Sequence, residues 1–178
     1  NDDINDDNFE IINKVDKIYY INLLDSKNRN NIMTKTLYKI NIKYERYEGM
    51  NGKKILNIKN NYFENREILN LNTNSEYAVL YSHLSLINKL QYEYGKYFLI
   101  FEDDLSLDFK KYWDKSIEKI IYEAPDDWEI IMLGYFTLNL KFDTNYREWN
   151  NDWSALSYII KKKSIKKINE YQINYKYK

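Results

Sequence analysis

Three adjacent acidic residues end the most apolar stretch of this chain. Residues 96–101 read Lys-Tyr-Phe-Leu-Ile-Phe, and Glu102, Asp103 and Asp104 follow directly. A short, continuous run of aromatic and branched residues is typical of a strand that is buried on both faces of an α/β sheet. In open α/β sheets, ligands bind beyond the carboxyl ends of the strands. The sequence therefore predicts a buried strand whose acidic end faces a ligand site.

The three carboxylates repel one another and need a neutralising partner. A hard divalent cation is one such partner, because Mg²⁺ and Mn²⁺ are commonly held by one or two carboxylates together with substrate phosphates. The alternative is an acidic turn in solvent, in which Asp104 or Asp108 caps the helix that follows. The spacing of the acids does not decide between these two interpretations.

Composition argues against several classes of protein. Lys plus Arg equals Asp plus Glu, at 27 each, so no basic field would attract nucleic acid. Cysteine is absent, which excludes disulfides, thiolate zinc sites and cysteine nucleophiles. Apolar runs are much shorter than the roughly 20 residues that span a bilayer, so we expect no transmembrane segment. The lack of cysteine and of a leader favours a cytoplasmic protein.

Strand and helix patterns alternate along the chain. Strands are predicted at residues 17–23, 42–47, 96–101, 128–134 and 156–160, and helices at residues 29–40, 77–94, 108–123 and 164–171. We expect a flexible tail over residues 1–16, a weakly patterned excursion over 54–74 and an aromatic loop over 135–153. The alternation predicts an α/β fold with a mainly parallel central sheet and helices on both faces.

Several segments resemble glycosyltransferase family 25, which contains lipooligosaccharide and collagen galactosyltransferases. The segments that match the family's strands, turn and helix occur in the family's order at residues 18–23, 47–52, 76–84, 98–104, 128–133 and 157–160. Within these segments stand the family's Ile-Asn-Leu opening, its Ser-His helix and its Glu-Asp-Asp strand end. The resemblance implies a single GT-A-type domain over residues 17–178, which is shortened at the C-terminus relative to the family.

The resemblance also implies a reaction. A galactose or glucose would move from a UDP-sugar to a hydroxyl group of a glycan or protein, with inversion and with Mn²⁺ or Mg²⁺ as cofactor. The cation would stabilise the charge that develops on the departing diphosphate. Asp104 would bind the metal directly, and Asp103 would share the metal or orient the ribose. Strand alternation would place Glu102 and Asp104 on one side and Asp103 on the other.

The nucleotide pocket would form from the first turn and from the turn around residues 49–52. Asn22 would contact the uracil, and Arg29 would approach a phosphate unless it is an ordinary solvated residue. Asn51 and Gly52 would line the pocket, although Asn51 also suits a plain turn. The glycines of this turn suggest a positive φ or a close approach of the backbone to a ligand.

An inverting transfer needs a carboxylate that takes the proton of the acceptor hydroxyl. Asp143 and Asp152 are candidates by position alone, because both lie in the aromatic loop. Trp149 and Trp153 of the same loop would stack on a sugar ring or pack the loop against the sheet.

His83, the only histidine, lies close to the apolar stripe of its helix. A buried, hydrogen-bonded structural role is favoured, and a role beside the diphosphate or metal is the alternative. Ser82 is interpreted as a packing or helix back-bonding residue.

Three positions depart from the family pattern, and they motivate a second functional hypothesis. Asp25 stands where the family often has arginine, Asn51 where it often has aspartate, and Leu156-Ser157 where it often has His-Ala. Together with the early end of the chain, these departures suggest a catalytically inactive module that binds a nucleotide sugar or a glycan.

Overall fold

The computed structural model describes residues 12–54, 73–108, 113–136 and 153–176. Within these ranges the strands are β1 (Lys17–Leu23), β2 (Tyr44–Gly49), β3 (Tyr97–Glu102), β4 (Ile130–Phe136) and β5 (Trp153–Lys161). The α-helices of the same ranges are α1 (Lys27–Tyr38), α2 (Asn74–Leu90), α3 (Ile117–Glu123) and α4 (Lys162–Lys176). A short 3₁₀ helix, Gly52–Lys54, follows β2.

The strands form one mixed sheet in the order β2-β1-β3-β5-β4. β1 pairs in parallel with β2 and β3, whereas β5 runs antiparallel to both β3 and β4. The prediction of a mainly parallel sheet is therefore confirmed in part: β1, β2, β3 and β4 run in one direction, but β5 runs against both of its neighbours. Parallel neighbours need a crossover connection, which is usually a helix. No helical pattern separates the last two strands in the sequence, so antiparallel pairing of β4 and β5 requires no such crossover.

Each face of the sheet carries its own hydrophobic core. On one face, strand residues pack against α1 and α3, with the buried side chains Ile18, Tyr20, Leu99, Phe101, Ile159, Met33, Leu37, Ile117 and Ile121. On the other face, strand residues pack against α2 and α4, with the buried side chains Tyr19, Ile21, Phe98, Ile100, Tyr158, Ile160, Leu86, Ile87, Leu90 and Ile165. The prediction of helices on both faces is confirmed.

Each of the four predicted helices begins at another residue than expected, and a cap explains the start of two of them. α2 begins at Asn74 because Thr73 and Glu76 form a capping box, in which the Thr73 hydroxyl accepts from the Glu76 N–H at 3.2 Å and the Glu76 carboxylate accepts from the Thr73 N–H at 2.7 Å. α3 begins only at Ile117, where Ser116 accepts a hydrogen bond from the Lys119 N–H. Ser116 is thus the cap of α3, in place of Asp104 or Asp108.

The end of the predicted tail packs against the domain. Ile12 and Val15 are buried. The Asp16 carboxylate accepts hydrogen bonds from the backbone N–H groups of Lys96 and Tyr97 at 2.8 and 2.9 Å. Residues 12–16 therefore belong with the sheet, which corrects that part of the predicted boundary; residues 1–11 lie outside the described residues. No helix in the described ranges has the length and apolar character that a membrane crossing requires.

Candidate functional site

The predicted site segments meet at one edge of the sheet. β1, β2 and β3 are parallel, with Leu23 opposite Gly49 and Ile21 opposite Glu102. Their carboxyl ends therefore bring together the turn after β1, the turn after β2 and the acidic turn after β3. This is the edge at which open α/β sheets bind ligands.

The acidic residues form a tight turn in which each carboxylate has a different environment. The strand ends at Glu102, and the Leu105 N–H donates to the Glu102 carbonyl at 3.3 Å. Glu102 points towards α2, where it contacts His83, whereas Asp103 points towards α1. The Asp103 side chain is 7% exposed and that of Asp104 is 56% exposed. Asp104 is therefore the carboxylate most open to a ligand.

Asp103 is the anchor of a buried polar network. One of its oxygens, Oδ1, lies 2.9 Å from Nη1 of Arg29, and the other, Oδ2, accepts from Nδ2 of Asn22 at 2.5 Å. Asn22 is buried, and its Oδ1 accepts from Nε of Arg46 at 2.8 Å. The network joins β1, β2, α1 and the end of β3. Because both Asp103 oxygens already have protein partners, Asp103 is less available to a cation than Asp104.

Arg29 lies at the mouth of this network. Its guanidinium donates to the Ser26 hydroxyl at 3.2 Å, and Nη1 is 3.9 Å from Oδ2 of Asp104. The side chain is 43% exposed, so it is accessible to an anion from the solvent side. Asn22, in contrast, is enclosed by protein groups, including the Ser26 carbonyl, which accepts from its Nδ2 at 3.2 Å. The predicted contacts of Asn22 and Arg29 with a nucleotide stay predictions.

The surroundings of Asp104 favour a positive partner. Partial burial raises the pKa of Asp104, and the negative charge of Glu102 raises it further. A carboxylate destabilised in this way gains from a cation. Among the described residues, no cluster of three or more potential metal-ligating side chains is present. The donor set nevertheless fits a hard cation such as Mg²⁺, which usually takes one or two carboxylates and completes its shell with phosphates and water.

A cavity of about 280 Å³ lies at the same edge of the sheet as the acidic turn, although none of the three acidic residues lines it. The turn after β1, the turn after β2 and helix α2 enclose it, with Asp25, Tyr47, Asn51, Tyr81 and Ser85 among its lining residues. A larger cavity of about 360 Å³ lies near Tyr97, Trp128 and Lys161. That cavity is at the opposite edge of the sheet, where β3 begins and β5 ends, so it is separate from the acidic turn.

Close packing fixes the turn after β2 against α2. A Cβ at Gly49 would lie 3.1 Å from Cγ2 of Ile21 and 3.4 Å from Cδ2 of Leu23. The Met50 N–H donates to the Ser82 hydroxyl at 2.8 Å, and that hydroxyl donates to the Ala78 carbonyl at 2.6 Å. A side chain at position 49 would therefore force its protein neighbours to shift, and Gly49 has no positive φ. The interpretation of Ser82 as a back-bonding residue is confirmed.

The rest of this turn shows ordinary turn chemistry. Oδ1 of Asn51 accepts from the Lys53 N–H at 2.9 Å, which is an Asx turn. A Cβ at Gly52 would lie 3.2 Å from Cα of Ser75, so Gly52 allows the turn to touch the start of α2. Asn51 also lies on the wall of the cavity. The predicted nucleotide contacts of Asn51 and Gly52 stay predictions.

His83 connects the acidic turn to β5. The residue is 7% exposed; its Nε2 is 3.0 Å from Oε1 of Glu102, and its Nδ1 is 3.0 Å from the Tyr158 hydroxyl. The expected buried, hydrogen-bonded position is confirmed. The sequence interpretation missed its partners. The alternation of side chains along β3 could have indicated Glu102 as a partner. Phe98, Ile100 and Glu102 share one face of the strand, and His83 lies on the buried side of the helix that covers this face.

Several predicted residues lie outside the described part of the chain. Asp143, Asp152 and Trp149 are among them, and of Trp153 only its place as the first residue of β5 is described. The candidates for the proton acceptor therefore stay predictions.

Comparison with known protein families matches residues 15–178 to Glycosyltransferase family 25 (LPS biosynthesis protein). The match covers nearly the whole chain and includes every strand of the sheet. A search among curated proteins finds no match.

Proposed function

Because the chain belongs to glycosyltransferase family 25, we propose that it transfers galactose or glucose from a UDP-sugar to a hydroxyl group of a glycan or protein. The transfer is proposed to need Mn²⁺ or Mg²⁺ and to invert the configuration of the sugar. The observation that carries this proposal is the position of Asp104, an exposed carboxylate at the same sheet edge as the cavity between the turns after β1 and β2.

The cavity supports a nucleotide at this edge. Its volume of about 280 Å³ is close to the lower end of the range of roughly 300–1,000 Å³ that is typical of small-molecule sites. Tyr47 and Tyr81 offer aromatic surface to a base, and Glu48 and Asn51 offer polar groups for the base or ribose. A nucleoside in this cavity would direct its phosphates towards the acidic turn.

The acidic turn supports the diphosphate end of the donor. Asp104 would hold the cation, and Asp103, which is already bound to Arg29 and Asn22, would fix the turn from behind. A bound Mn²⁺ or Mg²⁺ would act as a Lewis acid and a template for the leaving UDP. The accessible guanidinium of Arg29 adds positive charge where phosphate oxygens would lie, because arginine recognises phosphate well.

The proton acceptor of an inverting transfer is proposed to come from the segment between β4 and β5. Asp143 and Asp152 are the candidates in this segment. A carboxylate there would take the proton from the acceptor hydroxyl as the acceptor oxygen bonds to the anomeric carbon and the bond from that carbon to UDP breaks.

Calorimetric titration of UDP with and without Mn²⁺ tests the donor site. We expect UDP binding to require Mn²⁺ and to be lost in Asp104→Asn. Asp127→Asn is the matched control, because Asp127 is exposed at the other edge of the sheet, just before β4. Mn²⁺-dependent UDP binding that Asp104→Asn retains at the affinity of the wild type would overturn the role of Asp104.

Hydrolysis of UDP-galactose and UDP-glucose on the same sample tests turnover. Release of the sugar would establish a working donor site. Binding of UDP without release would instead favour the inactive binding module, a function that agrees with the engagement of both Asp103 oxygens by protein groups. Absence of UDP binding would overturn both the transferase and the module that binds a nucleotide sugar.

A further inference from the structure

The only histidine of the chain lies in a buried relay of three side chains. Tyr158 on β5, His83 on α2 and Glu102 at the end of β3 are joined by two contacts of 3.0 Å each, one at Nδ1 and one at Nε2 of His83. Tyr158 is 4% exposed and His83 is 7% exposed. The relay therefore runs from the interior of the sheet to the edge that carries the acidic turn.

The chemistry of the three groups selects one arrangement of protons. Burial raises the pKa of Tyr158 above its ordinary value, and the charge of Glu102 raises it further, so the hydroxyl keeps its proton. When the His83 ring carries one hydrogen and Tyr158 donates to Nδ1, that hydrogen lies on Nε2, which donates to Glu102. The opposite tautomer would point the lone pair of Nε2 at the carboxylate, and these two acceptors would repel.

Glu102 is held at one oxygen only. Oε1 accepts from His83, whereas Oε2 makes no hydrogen bond to any described residue. The side chain is 28% exposed and is adjacent in sequence to Asp103. A carboxylate with one fixed and one open oxygen at the ligand edge is suited to accept a hydrogen bond from a hydroxyl group.

We propose that Tyr158 and His83 are positioning residues that hold Glu102 so that its Oε2 accepts a hydrogen bond from a hydroxyl group of the donor sugar. Fixing the carboxylate before the sugar arrives reduces the ordering that binding would otherwise require. The identity of the ligand rests on the proposed function, whereas the proton arrangement of the relay does not.

Nitrogen NMR of protein labelled with ¹⁵N-histidine tests the relay directly. The chain has one histidine, so one pair of ring signals is expected and needs no assignment to a residue; couplings to the ring protons distinguish Nδ1 from Nε2. At a pH at which the ring carries one hydrogen, we expect that hydrogen on Nε2 and none on Nδ1. A singly protonated ring with its hydrogen on Nδ1 in the free protein would overturn the relay, whatever the enzyme proves to transfer.

The same signals report on the sugar. With Mn²⁺ replaced by diamagnetic Mg²⁺, UDP-galactose or UDP-glucose is expected to shift the Nε2 signal, and UDP alone is expected to shift it less. Equal shifts with UDP and with both UDP-sugars would overturn the contact between Glu102 and the sugar. If UDP itself does not bind, the proposed function and the contact with a donor sugar both fail, and the tautomer measurement still decides the relay.

Kinetics of UDP-sugar hydrolysis separate positioning from mere packing. The His83→Leu substitution removes the hydrogen-bond donor to Glu102. It is expected to lower kcat/KM by about 10- to 100-fold, the usual cost of losing a group that orients a site residue. His83→Gln keeps an amide donor and should recover part of the loss. In a double variant with Glu102→Gln, the His83→Leu substitution should cost nothing further, because it acts through Glu102. If the losses of kcat/KM from His83→Leu and Glu102→Gln instead multiply in the double variant, the proposal is overturned.

Two tyrosines provide a matched control for folding effects. Tyr20 is also buried, and its hydroxyl donates to Oδ1 of Asn30 at 2.8 Å on the other face of the sheet. Tyr158→Phe is expected to move the Nδ1 signal of His83 and to lower kcat/KM, whereas Tyr20→Phe should change neither. An unchanged Nδ1 signal in Tyr158→Phe would contradict the relay.

Discussion

Arg29 and Asp103 form an ion pair, with 2.9 Å between Nη1 and Oδ1, that ties the first turn of α1 to the end of β3. Asp103 is almost completely buried and Arg29 is partly exposed. A buried carboxylate that loses its partner is strongly destabilised because it no longer recovers the hydration it gave up. The pair therefore secures the turn that presents Asp104.

Removing the guanidinium should destabilise the protein through Asp103. We expect Arg29→Met to lower the free energy of unfolding by about 1–3 kcal/mol, the cost of leaving a buried polar group without a partner. Urea denaturation measures this change. Asp103→Asn in the Arg29→Met background should restore part of the loss, since the uncharged amide needs no cation. An Arg29→Met variant as stable as the wild type would show that the ion pair does not stabilise the fold.

Two glycines differ in the space around them, which gives a paired test of the cavity wall. Gly49→Ala puts a methyl group 3.1 Å from Cγ2 of Ile21, and overpacking of this kind typically costs about 1–3 kcal/mol. Gly134→Ala meets nothing closer than Cδ2 of Leu156 at 3.7 Å and should be tolerated. Thermal denaturation and UDP titration of both variants check this. Equal behaviour of the two alanine variants would contradict the close packing of the turn.

The lowered pKa of Glu45 predicts that stability depends on pH in the acidic range. Burial by itself raises the pKa of Glu45, but hydrogen bonds from Lys17, at 2.7 Å, and from Lys89 outweigh it, so the pKa is lowered. The folded state therefore binds this proton less readily than the unfolded state. The stabilisation is complete above the ordinary pKa of glutamate and is lost as the pH falls through the lowered value.

We expect Glu45→Gln to lower the free energy of unfolding by about 1 kcal/mol at neutral pH, as for a small network of charged hydrogen bonds. The difference from the wild type should shrink as the pH falls below about 4.5. Urea denaturation across this range measures it. Glu170→Gln, at a solvent-exposed pair with Lys166, should stay within about 0.5 kcal/mol of the wild type. A difference that grows towards acidic pH would contradict the assignment.

Much of the local structure could be predicted because it depends on local pattern. The bounds of β1 match the prediction at both ends, since a run of branched and aromatic residues stops at a polar turn. The strand of the acidic stretch and the inward position of His83 follow from the same rules of periodicity. The meeting of the turns after β1, β2 and β3 follows from parallel pairing of their strands.

The remaining features depend on contacts between distant residues, which local pattern does not encode. The insertion of β5 between β3 and β4 is one such feature, because strand order is set by the packing of the whole sheet. The capture of Asp103 by Arg29 and Asn22 is another. Strand alternation also stops at Glu102, so the side to which Asp104 points is decided by a turn.

Asp104→Asn should have opposite effects on the stability of the protein with and without ligand. The pKa of Asp104 is raised, by burial first and then by Glu102. The folded state therefore binds this proton more readily than the unfolded state, and stability falls as the pH rises through the raised pKa. Without ligand, Asp104→Asn should be more stable than the wild type at neutral pH, and this advantage should vanish at acidic pH.

With Mn²⁺ and UDP present, the wild type should become more stable than Asp104→Asn. A ligand that binds only the folded state at 100 times its Kd adds about 2.7 kcal/mol to the stability, and the wild type should gain this while Asp104→Asn does not. Thermal denaturation of both proteins, with and without Mn²⁺ and UDP, measures the two effects on the same samples. Asp127→Asn should follow the wild type throughout. An Asp104→Asn variant that gains as much from the ligands as the wild type would show that the cation binds elsewhere, because mass action stabilises only a protein that retains the site.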